Sequence, residues 1–123
     1  MDIKANEYVR TNGGHIGIFQ KYEEEGISQW FTMLQNGTLY TTATKAIVKH
    51  SKNIIDLIKV GDIVEYQVNS LSELKIGRVK SYRDARSNKE YLGVEGFDIT
   101  KIYIEAILTH EQYNANCYKV KGE

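Results

Sequence analysis

The chain of 123 residues contains one cysteine and no proline. Cys117 alone cannot form an internal disulfide, and a zinc site built from cysteines would lack its other ligands. The absence of proline leaves every predicted strand permissible, but it also removes a residue that often keeps sheet edges from pairing with another chain. A homo-oligomer joined through strand edges is therefore compatible with the sequence.

Long apolar runs are also missing. No segment approaches the roughly 18 apolar residues of a membrane helix, and the opening MDIKANEYVR has no signal-peptide core. We therefore expect no membrane partner and a cytoplasmic location. The length, with 41% apolar and 26% charged residues, predicts one globular domain spanning residues 1–123.

Recognised catalytic and metal-binding patterns are absent from the sequence as well. The glycines fall in turns rather than in a phosphate loop, and His15, His50 and His110 belong to no zinc or acid–base motif. We therefore predict that the protein is not an enzyme and holds neither a cofactor nor a metal.

The charges cancel over the whole chain but not along it. Six of the sixteen Lys and Arg residues lie between Lys75 and Lys89, where Asp84 is the only acid, so this basic segment has a net charge of +5. Zero net charge overall argues against general DNA binding through many phosphate contacts. Any anion site should therefore be local, and the basic segment is the first candidate.

Short apolar runs alternate with turn residues at spacings typical of an antiparallel sheet. The glycines after Asn12 and the pair Asn36-Gly37 tolerate the positive φ of tight turns, so both positions predict hairpins. The last of the main strands should be central, with its even-numbered residues buried (Ile102, Ile104, Ala106 and Leu108). The predicted strands cover residues 7–11, 15–22, 27–34, 38–42, 45–50, 63–68 and 101–108.

Two short helices are expected beside the strands. Residues 51–58 (SKNIIDLI) place three isoleucines on one face behind Ser51, which can cap the first turn. Thr109 and Gln112 have the spacing of a capping box, so a second helix should begin at His110. The fold class is therefore mainly β (β-rich α+β), an antiparallel small barrel or sandwich with two short helices.

The basic segment itself predicts a hairpin. Gly77 suggests a bulge that resets which side chains face the core. A turn centred on Ser87 and Asn88 would present the cations of the tip beside two tyrosines. The expected pairs are Arg86 with Lys89, Asp84 with Tyr91, Tyr82 with Gly93, and Lys80 with Glu95.

Positive side chains interleaved with aromatic rings suit a nucleotide, which is an anion with a flat ring. Trp30 is a further stacking candidate, because it neighbours Phe31 and a strand sends the two to opposite faces. A solvated face, salt bridges between copies, and a protein partner are the alternatives for the basic segment, while Trp30 could instead fill a dimer interface or cover a second small core. The predicted ligand-binding residues are Arg78, Lys80, Tyr82, Arg83, Arg86, Lys89, Tyr91 and Trp30.

A secondary anion site is predicted at the start of the first helix. There a helix N-terminus would lie beside three groups that can be cationic. A surface cluster at a strand-to-helix corner is the alternative. The residues of this site are Lys49, His50, Ser51 and Lys52.

The segments KHSKNIIDLI–VGDIVEY, IEAILTHEQY and NANCYKV resemble a family of small, largely uncharacterised proteins encoded by phages and prophages of clostridia and related bacteria. The resemblance covers the YVRT segment and most of residues 45–120, and it is weakest over residues 78–93. It implies a phage accessory protein in the host cytoplasm, of a class that often counters host defence. No catalytic residue is carried over from it.

Together these observations lead to one hypothesis and one alternative. The hypothesis is a non-enzymatic phage counter-defence protein that binds and sequesters a phosphate-bearing nucleotide signal through the basic segment. A homo-oligomer is compatible with this hypothesis. The alternative is a protein–protein inhibitor of a host defence effector, or a structural or assembly component of the phage, that uses Trp30 and free strand edges.

Overall fold

The structure, a computed structural model, describes residues 3–24 and 27–116. Over these residues it is mainly β, with two antiparallel five-stranded sheets and one α-helix, as the alternating pattern predicted. Each sheet has a linear strand order with two different edge strands, so neither sheet closes into a barrel within the described ranges. No helix among these residues combines the length and apolar character needed to cross a membrane.

The chain divides into two compact units, one ending at Leu57 and the other beginning at Ile58. One sheet belongs to each unit. The expectation of a single domain over residues 1–123 stays a prediction, and Cys117 lies outside the described residues.

The sheet of the first unit has the strand order β4-β3-β2-β1-β5. Its hairpins follow the turn chemistry of the sequence, because Asn36 and Gly37 have φ angles of 50° and 82° between paired Gln35 and Thr38. Two 3-10 helices, Thr44–Ala46 and Ile54–Leu57, accompany the sheet. The strands are β1 (Tyr8–Thr11), β2 (Ile16–Glu24), β3 (Ile27–Gln35), β4 (Thr38–Ala43) and β5 (Ile47–Ser51).

One face of this sheet carries the apolar core of the first unit. The rings of Phe19 and Phe31 stack with their centroids 5.5 Å apart, and Tyr22 meets Phe19 edge-on at 5.0 Å. Trp30 is 52% exposed whereas Phe31 is fully buried, so the predicted division between the two aromatic neighbours is confirmed. The core residues are Ile3, Val9, Phe19, Phe31, Met33 and Ile47.

The sheet of the second unit has the order β10-β6-β7-β8-β9. A 3-10 helix, Ile99–Lys101, precedes its last strand, and α1 (His110–Asn116) follows that strand at the predicted start. Thr109 Oγ1 accepts a hydrogen bond from Gln112 N at 3.3 Å, as the capping pattern requires. The strands are β6 (Ile63–Gln67), β7 (Lys75–Arg83), β8 (Glu90–Val94), β9 (Phe97–Asp98) and β10 (Tyr103–Leu108).

The prediction of a central last strand is wrong, since β10 is an edge strand. A register shift between Ile104 and Ala106 in its pairing with β6 changes which residues face inward. After the shift Ile107 lies opposite the fully buried Val64, and Ala106 and Leu108 are exposed. Apolar alternation alone did not reveal the bulge.

The prediction of a helix over residues 51–58 is also wrong. Ser51 ends β5, and only one 3-10 turn forms, at Ile54–Leu57. The Ser51 hydroxyl accepts from Asn53 N at 3.1 Å, and Asn53 Oδ1 accepts from Ile55 N at 3.1 Å. These local side-chain bonds compete with a regular helix at its start.

The hairpin of β7 and β8 forms, but its register differs from the prediction by two residues. Tyr82 pairs with Tyr91, Arg83 pairs with Glu90, and a longer loop joins them. A shift of two preserves the face of every side chain, because the period of a strand is two.

The bulge predicted at Gly77 is absent, since β6 and β7 pair without a shift through this residue. A Cβ added there would lie 2.4 Å from Cγ2 of Val94. Close approach of the buried Val94, rather than a bulge, therefore explains the glycine.

Candidate functional site

The β7–β8 hairpin carries an ordered aromatic pair. The rings of Tyr82 and Tyr91 stack with centroids 5.6 Å apart and an interplanar angle of 22°. A Cβ on Gly93 would lie 2.9 Å from Cδ2 of Tyr82, so the glycine leaves room for that ring. The Tyr91 hydroxyl donates to the Gly96 carbonyl at 3.3 Å. The two rings are thus positioned by the sheet and by the following turn.

The loop of the hairpin, residues 84–89, is closed by its own side chains and backbone. Asp84 Oδ1 accepts from Arg86 N at 2.9 Å, and Asn88 takes a positive φ of 57°. Arg83 donates to the Asn88 carbonyl at 3.0 Å and to Glu90 Oε1 at 3.0 Å. Because both charged side chains are more than half exposed, this ion pair contributes about 1 kcal/mol or less to stability.

The other cations of the basic segment do not converge on the tyrosines. Arg78 donates to the Gly61 carbonyl at 2.9 Å, and its guanidinium carbon lies 5.3 Å from the centroid of the Tyr113 ring. Lys80, Arg86 and Lys89 are exposed, and their side chains make no hydrogen bond or ion pair within residues 3–24 and 27–116. The predicted set of cations is therefore divided among several positions.

A cleft of about 480 Å³ opens beside the hairpin in the second unit. It contains two of the eight predicted ligand-binding residues, Arg83 and Tyr91, and it adds a second cation, Lys101, that the sequence reading missed. The turn at Gly96 brings β9 and the following 3-10 helix against the hairpin, which no local motif indicated. The lining residues are Val68, Arg83, Asp84, Ala85, Tyr91, Gly96, Phe97, Asp98, Lys101 and Ile102.

Two carboxylates balance the two cations of this cleft. Asp98 accepts from the Thr100 backbone N–H at 2.9 Å and from the Thr100 hydroxyl at 2.7 Å. These hydrogen bonds, with a smaller contribution from the charge of Lys101, hold the pKa of Asp98 below its usual value. The lining therefore suits a ligand that carries hydroxyl groups as well as an anionic group.

Trp30 belongs to the first unit and lies on the face of its sheet opposite to the core. Leu34 pairs with Leu39, and Trp30 pairs with Ala43, so these side chains share that outer face. Leu39 is 63% exposed. The pair Thr32 and Thr41 lies between Trp30 and Leu39 on this face, so the two exposed apolar side chains are separated from each other.

The secondary anion site has a different structure from the one predicted. No α-helix begins at Ser51, so the helix N-terminus on which the site depended is absent there. Ser51 donates to an Asp56 carboxylate oxygen at 2.6 Å, and His50 Nδ1 lies 2.9 Å from a Glu7 carboxylate oxygen. Lys49 and Lys52 remain exposed.

The Glu7 carboxylate is held by two groups. His50 contacts one oxygen, and the backbone N–H of Lys4 donates to the other at 2.7 Å. These contacts lower the pKa of Glu7, with the hydrogen bond from His50 as the largest cause.

A cluster that the sequence reading missed lies where β6 begins and α1 begins. His110 Nδ1 is 3.1 Å from Asp62 Oδ1 and 3.5 Å from Glu111 Oε1. Asp62 and His110 are 48 positions apart in the sequence, so no local motif indicates this proximity. These three residues could hold a metal ion.

Comparison of the chain with protein-family models, with curated proteins and with solved structures finds no match. The resemblance to phage proteins therefore stays a prediction.

Proposed function

We propose that the protein is a non-enzymatic binding protein that captures a small phosphate-bearing molecule with a flat ring, of the nucleotide class. The ligand occupies the cleft beside the β7–β8 hairpin. The observation that carries this proposal is the joint presence of Arg83, Lys101 and the Tyr91 side chain in one cavity of about 480 Å³. Ligand sites of small molecules are commonly clefts of this size with a few polar groups.

Each part of a nucleotide has a counterpart in the lining. Arg83 and Lys101 supply cations for a phosphate group, and Tyr91 and the 39% exposed Phe97 supply aromatic surface for a base. The carboxylate of Asp98 can accept hydrogen bonds from ribose hydroxyls, as acidic residues do in dinucleotide sites. The mixture of two cations and two carboxylates favours such a ligand over a bare inorganic anion.

The contacts available in the cleft set the scale of the affinity. A hydrogen bond to a charged group contributes about 1.5–3 kcal/mol, and stacking of a base on an aromatic ring contributes about 1–3 kcal/mol. Two charged contacts with one stacked ring sum to about 4–9 kcal/mol, before the cost of association, so further contacts with the cleft are needed for the roughly 8 kcal/mol of micromolar binding.

Binding without turnover is supported by the state of the acids. A general acid at neutral pH needs a raised pKa, whereas hydrogen bonds from Thr100 lower the pKa of Asp98. Asp84 accepts a backbone hydrogen bond within its own loop. Asp98 therefore lacks the environment of a catalytic proton donor.

A thermal-shift and calorimetry panel tests this proposal. The panel contains linear nucleotides, cyclic mononucleotides, cyclic dinucleotides, and inorganic phosphate as the control without a ring. We expect at least one nucleotide to stabilise the protein and phosphate alone to have a much smaller effect. Chromatography of the same mixtures should show the nucleotide intact.

Lys101→Ala and Lys89→Ala form a matched pair for this panel. Both remove one exposed lysine, but only Lys101 lines the cleft. We expect Lys101→Ala to weaken binding about tenfold or more and Lys89→Ala to change it less than about twofold. No response to any nucleotide, or equal losses in both variants, would reject the proposal.

The outer face of the first sheet favours a second candidate function, recognition of a protein partner. Trp30 is 52% exposed and Leu39 is 63% exposed on one face of the sheet, with the pair Thr32 and Thr41 between them, so two large apolar side chains are available to a partner on this face. If a host protein co-purifies with the chain in equal amount and Trp30→Ala abolishes that association, this function replaces the first. A role in phage counter-defence rests on the resemblance alone and stays a prediction under either function.

A further inference from the structure

We propose that Asp62, His110 and Glu111 form a binding site for a divalent transition-metal ion of the zinc class. The three residues lie in the second unit, outside the lining of the nucleotide cleft. This site is independent of the proposed function.

The distances between the donor atoms fit such an ion. His110 Nδ1 lies 3.1 Å from Asp62 Oδ1 and 3.5 Å from Glu111 Oε1, and all three donor atoms lie within 4.8 Å of one another. A zinc ion about 2.0–2.2 Å from each of its ligands keeps neighbouring ligand atoms about 3.3–3.6 Å apart in tetrahedral geometry. Closing the set therefore needs only a small movement of the Glu111 side chain.

The backbone fixes two of the three ligands before any metal arrives. The backbone N–H of Lys59 donates to Asp62 Oδ2 at 2.8 Å, and the backbone N–H of His110 donates to Asp62 Oδ1 at 2.9 Å. The carbonyl of Asp62 also accepts from Val79 N at 2.8 Å, which ties this residue to β7. Because Oδ2 keeps its own hydrogen bond, Oδ1 is held in one direction toward the histidine ring.

Exposure leaves one side of the cluster open. The Asp62 side chain is fully buried, while the side chains of His110 and Glu111 are 36% and 22% exposed. An ion can reach the donors from that side, and water can complete its coordination.

The chemistry of the donors selects the class of ion. Nδ1 of His110 lies 3.1 Å from Asp62 Oδ1, and a cation bound to both atoms replaces the proton that a hydrogen bond between them would need. One imidazole nitrogen with two carboxylate oxygens suits zinc and related transition metals better than calcium or magnesium, which prefer all-oxygen sets.

Isothermal titration of zinc chloride into the metal-free full chain tests the site, in a Cys117→Ser background that removes the thiol as a competing ligand. We expect one zinc ion per chain. Glu111→Gln and His110→Ala should each weaken binding by more than about tenfold. His15→Ala, which removes an exposed histidine elsewhere in the chain, should change it less than about twofold.

Nitrogen-detected NMR of the histidine rings gives a second readout that does not depend on affinity. Zinc should shift the Nδ1 resonance of His110 and leave that of His15 in place. Circular dichroism checks that each variant folds. If His110→Ala does not fold, the zinc affinity of Glu111→Gln alone decides the test. No binding at about 1 mM zinc, or unchanged affinity in a folded ligand variant, overturns the proposal.

Discussion

The two units of the protein build their cores from different kinds of side chain. The first unit packs aromatic and long apolar residues, with Phe19 stacked on Phe31 and both buried. The second unit instead places the β-branched Val94 closely against the backbone at Gly77, beside the fully buried ring of Tyr66. Stacked aromatic rings therefore characterise the core of the first unit, whereas a close fit between a side chain and the backbone characterises the second.

The two units also differ in which of them carries the candidate cleft and the candidate metal site. The cleft at the hairpin and the Asp62 cluster both belong to the second unit, where strands and turns bring distant polar residues together. On the outer face of the first sheet, the exposed side chains of Trp30 and Leu39 are apolar. We therefore expect core substitutions to act most strongly in the first unit and site substitutions to act in the second.

The largest effect should come from Phe31→Ala. Removal of a fully buried ring leaves a cavity and ends the stacking with Phe19, so we expect a loss of about 3–5 kcal/mol in the free energy of unfolding. Urea denaturation followed by the fluorescence of the single tryptophan, Trp30, reports this unit directly. Leu39→Ala, at an exposed position, should cost less than about 0.5 kcal/mol.

Val79→Ala is the corresponding core substitution in the second unit. It removes two buried methyl groups, so we expect a loss of only about 2 kcal/mol in the free energy of unfolding, measured by urea denaturation. If it costs as much as Phe31→Ala, the contrast between the units is wrong.

Gly77→Ala tests the close fit of the second unit. The added Cβ would lie 2.4 Å from Val94 Cγ2, so the strands must move apart, and we expect a loss of about 1–3 kcal/mol in urea denaturation. Gly13→Ala is the matched control, since its Cβ would meet only the His15 ring at 3.6 Å. A neutral Gly77→Ala would contradict the explanation given for this glycine.

Ionisation of Tyr66 should lower the stability of the second unit at alkaline pH. Burial raises the pKa of Tyr66 to about 12, and the charge of the neighbouring Glu95 carboxylate contributes further. A pKa raised above the value of 10.0 in the unfolded chain favours folding below pH 10, and this stabilisation is lost as the pH rises toward 12.

We therefore expect Tyr66→Phe to weaken the alkaline dependence of stability between about pH 10 and 12, by on the order of 2 kcal/mol. Tyrosinate absorbance should show one tyrosine of the wild type ionising last, and this step should be missing in the variant. An unchanged alkaline titration would contradict the assignment.

Protonation of Glu7 should lower the stability of the first unit at acid pH, and we expect this effect to be the smallest of those described. The pKa of Glu7 is lowered by hydrogen bonds from His50 and Lys4, so its contribution to stability is present above the unfolded value of 4.5 and is lost as the pH falls below it. Glu7→Gln should flatten this acid dependence in thermal unfolding and leave the alkaline limit unchanged. A variant as acid-sensitive as the wild type would show that other carboxylates dominate.

How much of the fold the sequence predicts depends on how local its causes are. The turn at Asn36-Gly37 and the opposite orientations of Trp30 and Phe31 follow from two or three neighbouring residues, and both predictions are confirmed. The edge position of β10 and the two-residue difference in the β7–β8 register depend on pairing partners and loop closure. No local pattern specifies those.

The candidate site shows the same limit. The sequence indicated Arg83 and Tyr91, but Lys101 and Asp98 reach the cleft only because β9 turns back beside the hairpin. Arg78 was predicted at the site because of its charge, yet it bonds to Gly61 and lies over Tyr113. Charge clustering in sequence locates a region, and side-chain contacts decide which residues act together.

The outer strand β4 has a practical consequence. Its six residues, TLYTTA, contain no charge, and within the described residues no strand pairs with its outer edge. Such an edge can recruit a copy of itself, so sample concentration should govern the behaviour of the protein in storage and crystallisation. Thr41→Lys would place a charge on this exposed strand and disfavour pairing between copies. The variant should therefore tolerate higher protein concentrations, with no change in the core.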